Sequence, residues 1–529
     1  MEFLKNITPR EYQEKIFATC AEKNTLIVLP TGLGKTLIAL MLTIHRMKEF
    51  PAKKVVFLAP TRPLAEQHLD YYKKNLPELF AEMNLFTGKI KPSERKKLWQ
   101  NSDIIFSTPQ CVANDLKNNL YNLSDVCLLV EDEAHRCVKS YDYTYVVQKY
   151  KNQTEPSTRR IIGMTASPGS DTRKIREICK NLEIEEVELR TRESEDVRKY
   201  LQELEFEKIL VEFPKEFVEI KYVLQSMIER LVIELKQRNV LFGPVNKIAL
   251  IELQKRMMAT ISRGVNNNFN YMLAVSACSQ AIKLQHALEL LETQSLNSLN
   301  LYFGSLREQA DKGKSKGVKK LVSSTEFNFM FSKVNELLSK GMEHPKIDKI
   351  LEIVRREKEN NPNKARIIIF TQFRDTASNI SNKINTLTDL TSKVFVGQAK
   401  KSSSDGKNST GLNQKDQKKM IEEFSRGEIN ILCATSIAEE GLDIPEVNAV
   451  IFYETIPSAI RAIQRAGRTA RLKPGKLIMV ITKQTRDESN YYVSKSRERK
   501  MQSAIAEVKS DLKFPEKQIT KEAQKKLFG

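Results

Sequence analysis

Leu29-Pro30-Thr31-Gly32-Leu33-Gly34-Lys35-Thr36 lies between an apolar, β-branched run, Thr25-Leu26-Ile27-Val28-Leu29, and Leu37-Ile38-Ala39-Leu40-Met41-Leu42-Thr43-Ile44, which continues at helical spacing. A buried strand, a glycine turn and a helix in that order are the setting in which a backbone cradles phosphates. Gly32 and Gly34 let the chain wrap an anion with no Cβ in the way. The helix start beyond them offers unpaired N–H groups and a positive dipole end. Lys35 is expected to reach the β- and γ-phosphates of a nucleoside triphosphate and Thr36 to ligate Mg²⁺, with Thr31 in the same cradle. Leu29 stands where the general pattern opens with glycine.

About a hundred residues further on, Val126-Cys127-Leu128-Leu129-Val130 reads as a second buried strand, followed by Glu131-Asp132-Glu133-Ala134-His135. In open α/β sheets ligands bind at the C-terminal ends of strands. Asp132 is placed to hold Mg²⁺ through its hydration shell, and Glu133 to orient and deprotonate an attacking water. Together the two stretches imply hydrolysis of a nucleoside triphosphate such as ATP.

Strands alternating with helices place the chain in the α/β class with parallel sheets. A first lobe is expected over residues 1–210, with strands at 26–29, 55–58, 104–106, 127–130 and 161–164. A second is expected over 345–500, with strands at 367–370, 429–433, 447–452 and 477–481. Residues 211–344 follow a different grammar. Phe217, Ile220, Leu224, Met227, Leu231 and Leu235 recur at three-and-four spacing, as do Leu273, Ala277, Ala281, Leu284, Leu288 and Leu291. That periodicity predicts an all-helical insertion. Lys312, Lys314, Lys316, Lys319 and Lys320 suggest a basic loop within it, residues 399–418 a polar loop without apolar period, and 501–529 a charged tail.

The 529 residues carry a net charge of +20, which suits a polyanionic partner. No apolar run approaches the ~18 residues of a membrane span, and no leader with a cleavage site opens the sequence. The seven cysteines, at 20, 111, 127, 137, 179, 278 and 433, form no CxxC pair. This argues for a reducing, intracellular (cytoplasmic) setting and against structural zinc or an iron–sulfur cluster.

The order of further motifs resembles the superfamily 2 helicases of the DEAH-box kind. Arg10 with Tyr12-Gln13 is similar to their adenine-reading element. Ala59-Pro60-Thr61-Arg62-Pro63-Leu64, Thr87-Gly88 and Ser107-Thr108-Pro109-Gln110 resemble the motifs that grip a nucleic-acid backbone, and Thr165-Ala166-Ser167 the motif linking hydrolysis to strand movement. In the second half, Ile367-Ile368-Ile369-Phe370 with Thr371-Gln372-Phe373-Arg374, Ala434-Thr435-Ser436 through Glu440-Gly441-Leu442-Asp443, and Gln464-Arg465-Ala466-Gly467-Arg468-Thr469-Ala470-Arg471 complete the set. The resemblance implies two RecA-like lobes with an all-helical insertion domain between them. It implies that Arg468 and Arg471 are arginine fingers, Gln464 a γ-phosphate or water contact, and Asp443 a ribose contact or an aid to closure. Arg62, Thr87, Gly88, Thr108, Arg374 and Thr435 become the candidate backbone grips. Ala470 departs from the glycine most common in the family.

The insertion, with Leu29–Thr36, Ile456-Pro457-Ser458-Ala459-Ile460-Arg461-Ala462-Ile463-Gln464 and Thr485-Arg486-Asp487-Glu488-Ser489-Asn490-Tyr491-Tyr492, resembles the archaeal Hef and Fanconi anaemia group M family. That likeness implies action on forked or branched DNA in fork repair, 3′ to 5′ movement and a place at the nucleoid. Many Hef proteins carry an XPF-type nuclease; Glu498-Arg499-Lys500 lacks the aspartate of that signature and reads as a charged helix face. Gln524-Lys525-Lys526-Leu527-Phe528 distantly resembles a sliding-clamp hook without its second aromatic. Two alternatives stand beside this reading: an RNA-activated ATPase of the Dicer or RIG-I-like kind, and a non-catalytic branched-DNA clamp that recruits a nuclease.

Overall fold

Thirteen short strands among the described residues sort into two sheets in which every pairing is parallel. The computed structural model describes residues 3–5, 7–139, 141–243, 245–263, 268–313, 315–362, 365–397, 411–435, 444–456 and 474–513. The first sheet has the order β3-β4-β2-β5-β6-β1-β7. Its strands are β1 (Thr25–Val28), β2 (Lys54–Leu58), β3 (Met83–Phe86), β4 (Ile104–Ser107), β5 (Val126–Asp132), β6 (Ile161–Thr165) and β7 (Glu186–Leu189). Runs such as that of β5 are apolar without alternation because helices cover both faces of a parallel sheet, and all seven β5 residues are buried. The helix Lys35–Glu49 lies against this sheet and is apolar almost all round, with Leu37 to Ile44 buried without a break. Because the strands run the same way, the loops after β1, β2, β3, β4 and β5 all emerge at one edge.

The second sheet has the order β10-β11-β9-β12-β13-β8. It is built from β8 (Leu204–Val211), β9 (Ile367–Phe370), β10 (Ser392–Phe395), β11 (Ile431–Ala434), β12 (Ala449–Phe452) and β13 (Gly475–Thr482). The expected first-lobe boundary at residue 210 is therefore moved: the chain crosses between sheets near residue 203 and pairs β8 along the whole length of β13 before the insertion begins.

The insertion comprises the helices Lys215–Gln237, Lys247–Ser262, Asn268–Thr293, Leu296–Asp311, Lys316–Val322 and Thr325–Ser339. Phe217, Ile220 and Leu224 meet Leu284, Leu288, Phe303 and Phe327 in its core. It is seated on the second lobe through buried polar contacts: the Thr376 hydroxyl donates to Gln294 Oε1 at 2.8 Å, and Gln294 Nε2 donates to Glu454 Oε2 at 3.2 Å.

Three expected irregular segments differ in the structure. Lys316–Val322 is a helix, capped by Ser315 and anchored by buried Val318 and Leu321, so the lysines around it do not form one loop. Lys314 lies outside the described residues. The segment expected as a loop over 399–418 ends in the helix Gln414–Arg426, whose Gln417 amide donates to Val396 O at 3.1 Å; residues 398–410 lie outside the described residues. The expected tail from 501 begins instead in the helix Arg486–Lys513. Met501, Ala504, Ile505 and Val508 join the first-lobe core beside Ile175 and Cys179, and Arg176 pairs with Glu507 and Asp511 at 2.6 and 2.7 Å. A helix that starts on the second lobe thus ends on the first. The clamp-like stretch 524–528 lies outside the described residues. Among the described residues, no helix is long and apolar enough to cross a membrane.

Candidate active site

The loop after β1 uses the conformational freedom of its glycines: Gly32 and Gly34 have φ of 88° and 75°, a region that side chains other than glycine's rarely enter. A Cβ on Gly34 would also collide with the Gln13 amide. That amide ties the adenine-reading element to the phosphate loop. Its oxygen accepts from Arg10 N at 2.8 Å and its nitrogen donates to Leu33 O at 3.2 Å, while the Tyr12 hydroxyl donates to the same carbonyl at 2.9 Å. Lys35 Nζ donates to Leu29 O at 2.8 Å, folded back over the loop it is expected to serve. The Arg10 guanidinium lies 5.1 Å from the ring centroid of Tyr200, a neighbour from the crossing between lobes that no sequence motif indicated.

At the end of β5, Asp132 is almost fully buried. Burial alone would raise its pKa, but the hydrogen bond and charge of His68 and the charge of Lys35 hold it below the usual carboxylate range. His68 Nε2 is 3.0 Å from Asp132 Oδ2, and His68 Nδ1 is 3.5 Å from Thr36 Oγ1. The Tyr143 hydroxyl donates to Asp132 O at 2.7 Å, fixing the turn from behind. Glu133 turns through a left-handed φ of 51°, costly for a side chain other than glycine's and concentrated at functional sites. Its Oε2 lies 3.2 Å from His135 Nδ1, which lies 3.1 Å from Thr165 Oγ1; the Thr165 hydroxyl donates in turn to Ser167 O at 3.1 Å. The acidic motif and the Thr165–Ser167 motif are thus one hydrogen-bonded unit. Preceding them, Glu131 is wholly buried with no partner for either carboxylate oxygen, and burial pushes its pKa up to about 8.

Among the described residues, no group of three or more His, Cys, Asp or Glu side chains could hold a metal ion on its own. The donor set of one hydroxyl (Thr36) and one carboxylate (Asp132) fits a hard cation that takes its other ligands from phosphates and water.

The first-lobe candidates for nucleic-acid grips lie on the same sheet edge. Arg62 opens the helix Arg62–Asn75, and its Nε and Nη1 are buried without an acceptor. Thr87 and Gly88 follow β3, and Thr108 begins the helix Pro109–Lys117 without capping it by its side chain. On the second lobe, Arg374 Nη2 donates to Gly397 O at 3.1 Å and Thr435 N to Phe395 O at 3.1 Å. A cleft of about 680 Å³ joins the lobes, lined by Thr36, Arg62, His68 and Lys74 on one side and Lys415 and Lys418 on the other. Asp443, Gln464, Arg468 and Arg471 lie outside the described residues. The sequence reading missed His68, Tyr143 and Tyr200, whose roles arise only from tertiary contact.

Residues 10–175 match the DEAD/DEAH box helicase family, residues 216–340 an ATP-dependent RNA helicase helical-bundle family described provisionally, and residues 345–473 the helicase conserved C-terminal domain. The chain is 38% identical over 504 residues to Methanocaldococcus jannaschii MJ1505, provisionally named an ATP-dependent RNA helicase, with 95% of this chain and 61% of that protein covered. It is 31% identical to the ATP-dependent DNA helicase mph1 of Sclerotinia sclerotiorum, covering 94% of this chain and 41% of that one. It thus spans less than two thirds of the length of both. The crystal structure of the Pyrococcus furiosus Hef helicase domain superposes with a TM-score of 0.68 at 40% identity, covering 92% of this chain and 98% of that one. On that similarity, with two parallel-sheet lobes flanking a helical domain, the chain belongs to the Hef-like family of superfamily 2 helicases.

Proposed function

We propose that this chain is an ATP- and Mg²⁺-dependent DNA translocase that remodels forked or branched DNA, moving 3′ to 5′. One observation carries the reading. Lys35, Thr36, Asp132 and Glu133 meet at one edge of the first sheet, and that edge also holds Arg62, whose Nε and Nη1 are buried without an acceptor. Lys35 swings from Leu29 O to the β- and γ-phosphates, and Arg10 and Gln13 receive the adenine. Glu133 orients the attacking water and takes its proton. Thr36 and Asp132 would hold Mg²⁺, which would offset phosphate charge. Gln464, Arg468 and Arg471 complete the site from the second lobe, with Asp443 near the ribose, so hydrolysis requires the lobes to close.

Arg62, Thr87, Gly88, Thr108, Arg374 and Thr435 grip phosphates and not base edges, which gives little sequence preference. Affinity then falls with salt by about 0.7–0.9 in log K per phosphate neutralised and per log unit of salt. The RNA-helicase names attached to the helical-bundle family and to the M. jannaschii relative favour a second reading, activation by RNA. Steady-state ATP hydrolysis separates the two. Strongest stimulation by forked DNA over single-stranded DNA and double-stranded RNA is the expected result, and strongest stimulation by double-stranded RNA moves the protein to the second reading. Glu133→Gln should lower the rate by about 10²–10⁴ while still binding ADP; a variant with undiminished hydrolysis removes Glu133 from the mechanism.

A further inference from the structure

His68 belongs to neither the phosphate loop nor the acidic motif, yet its imidazole stands between them. Nε2 is 3.0 Å from Asp132 Oδ2 and Nδ1 is 3.5 Å from Thr36 Oγ1, so one ring bridges the two protein groups that would serve the metal ion. The ring is held in that attitude. Its side chain is only 9% exposed, and its centroid packs 4.4 Å from that of Phe57 on β2. The backbone that carries it is the helix Arg62–Asn75, so His68 is rigidly coupled to Arg62 less than two turns away. Arg62 in turn aligns Nε and Nη1, buried and without an acceptor, at the start of that helix.

We propose that His68 is a positioning residue of the Mg²⁺ site and the link through which a phosphate held at Arg62 acts on it. Without nucleotide the imidazole ties Thr36 to Asp132. When Mg²⁺–nucleotide enters, Thr36 turns to the ion and His68 keeps its bond to Asp132, aiming the carboxylate at the ion's hydration shell. Groups that orient a metal's ligands in this way are commonly worth ~10–100-fold in metal affinity. A phosphate drawn onto Arg62 moves or stiffens the helix and hence the ring. This inference rests on the ATP-binding reading above.

The test is an equilibrium titration of the full chain with N-methylanthraniloyl-ADP, with Mg²⁺ varied and again in EDTA, with and without forked DNA. His68→Ala is expected to raise the Mg²⁺ concentration for half-maximal binding by about tenfold and to leave binding in EDTA unchanged. His68→Gln, whose amide can still donate to Asp132, is expected to recover most of the loss. Forked DNA should lower the half-maximal Mg²⁺ concentration of the natural protein and leave that of His68→Ala unmoved. Three results would overturn the proposal: an unchanged Mg²⁺ dependence in His68→Ala, equal weakening in EDTA, or an equal DNA effect in both proteins. Thermal melting checks that each variant is folded, and His68→Gln keeps the question open to test should His68→Ala fail to fold. Absence of binding by the natural protein would instead sink the nucleotide reading.

Discussion

Four helices of the insertion and four helices that follow the candidate motif loops begin in opposite ways. Asn246, Ser295, Ser315 and Ser324 each accept a hydrogen bond from the backbone N–H three residues on, so four insertion helices start with a donor satisfied by the protein itself. The helices beginning at Lys35, Arg62, Pro109 and Arg374 are preceded by Gly34, Thr61, Thr108 and Phe373, and none of these supplies a side-chain cap. Thr61 and Thr108 have hydroxyls and extended backbone suited to capping, yet neither caps. Leaving the first N–H groups of a helix unpaired costs stability unless water or an anion meets them. In these eight helices the satisfied donors belong to scaffold and the open ones lie beside candidate phosphate contacts. Open starts also occur at Pro92–Asn101, Asp142–Gln153 and Lys215–Gln237, and Asn413 caps the cleft-lining helix Gln414–Arg426.

Asp487 is the extreme of the first kind. Fully buried, it pairs with the equally buried Lys346, accepts from Thr455 N and Thr455 Oγ1 at 2.8 Å each, and accepts from Thr482 N at 3.0 Å. It belongs to the Thr485–Tyr492 stretch that pointed to the Hef family, and through these contacts that stretch locks the loop after β12 to the end of β13. Removing one partner leaves a buried, uncompensated charge. Asp487→Ala should cost about 3–5 kcal/mol, the largest effect foreseen, read as a lowered thermal midpoint. A midpoint within a degree of the natural protein would break the division between satisfied scaffold and open site.

Glu131 is the reverse mismatch, an acceptor with no hydrogen bond to either oxygen and only the weak thiol of Cys137 to oppose the effect of burial. Its folded pKa of about 8 lies above the ordinary glutamate value of 4.5, chiefly because of burial. The folded chain therefore holds a proton that the unfolded chain has already released over that interval. Stability is greatest below the unfolded pKa and declines as pH rises toward 8, by an amount on the order of 4 kcal/mol. Glu131→Gln should flatten the pH dependence of the melting temperature between pH 5 and 8 and melt higher than the natural protein at pH 8. Parallel pH profiles for the two proteins would mean that the carboxylate has a partner after all.

The strands missing from the sequence reading share a location. Unread β3, β7, β8 and β10 are the outermost strands of the two sheets, where one side lacks a neighbour and sequences such as Glu186-Val187-Glu188-Leu189 need not be apolar. The central strands were legible because burial on both faces imposes unbroken apolar runs, and the phosphate loop because glycine is required where φ is positive. The C-terminal helix did carry a signal, Met501, Ala504, Ile505 and Val508 at three-and-four spacing, hidden by the charged residues of its exposed faces. His68 carried none. Its place between Thr36 and Asp132 depends on how three chain segments meet, and no spacing along one of them reports that.

The smallest effects fall on the caps themselves, where the contrast is sharpest. Ser324→Ala removes the acceptor for Phe327 N and should cost about 1 kcal/mol of stability, with ATP hydrolysis and DNA affinity unchanged. Thr108→Ala removes a hydroxyl that caps nothing, so its melting temperature should stay within a degree of the natural protein's. If that hydroxyl is reserved for a nucleic-acid phosphate, the variant should instead bind single-stranded DNA about fivefold more weakly, the worth of one hydrogen bond of about 1 kcal/mol. Melting curves and a fluorescence-anisotropy titration at fixed salt suffice for both variants. The two results must cross, with stability lost in one and affinity in the other. Were Thr108→Ala to lose stability and keep its affinity, the absent cap would be a local accident of packing, and an open helix start could no longer be read as a place kept for phosphate.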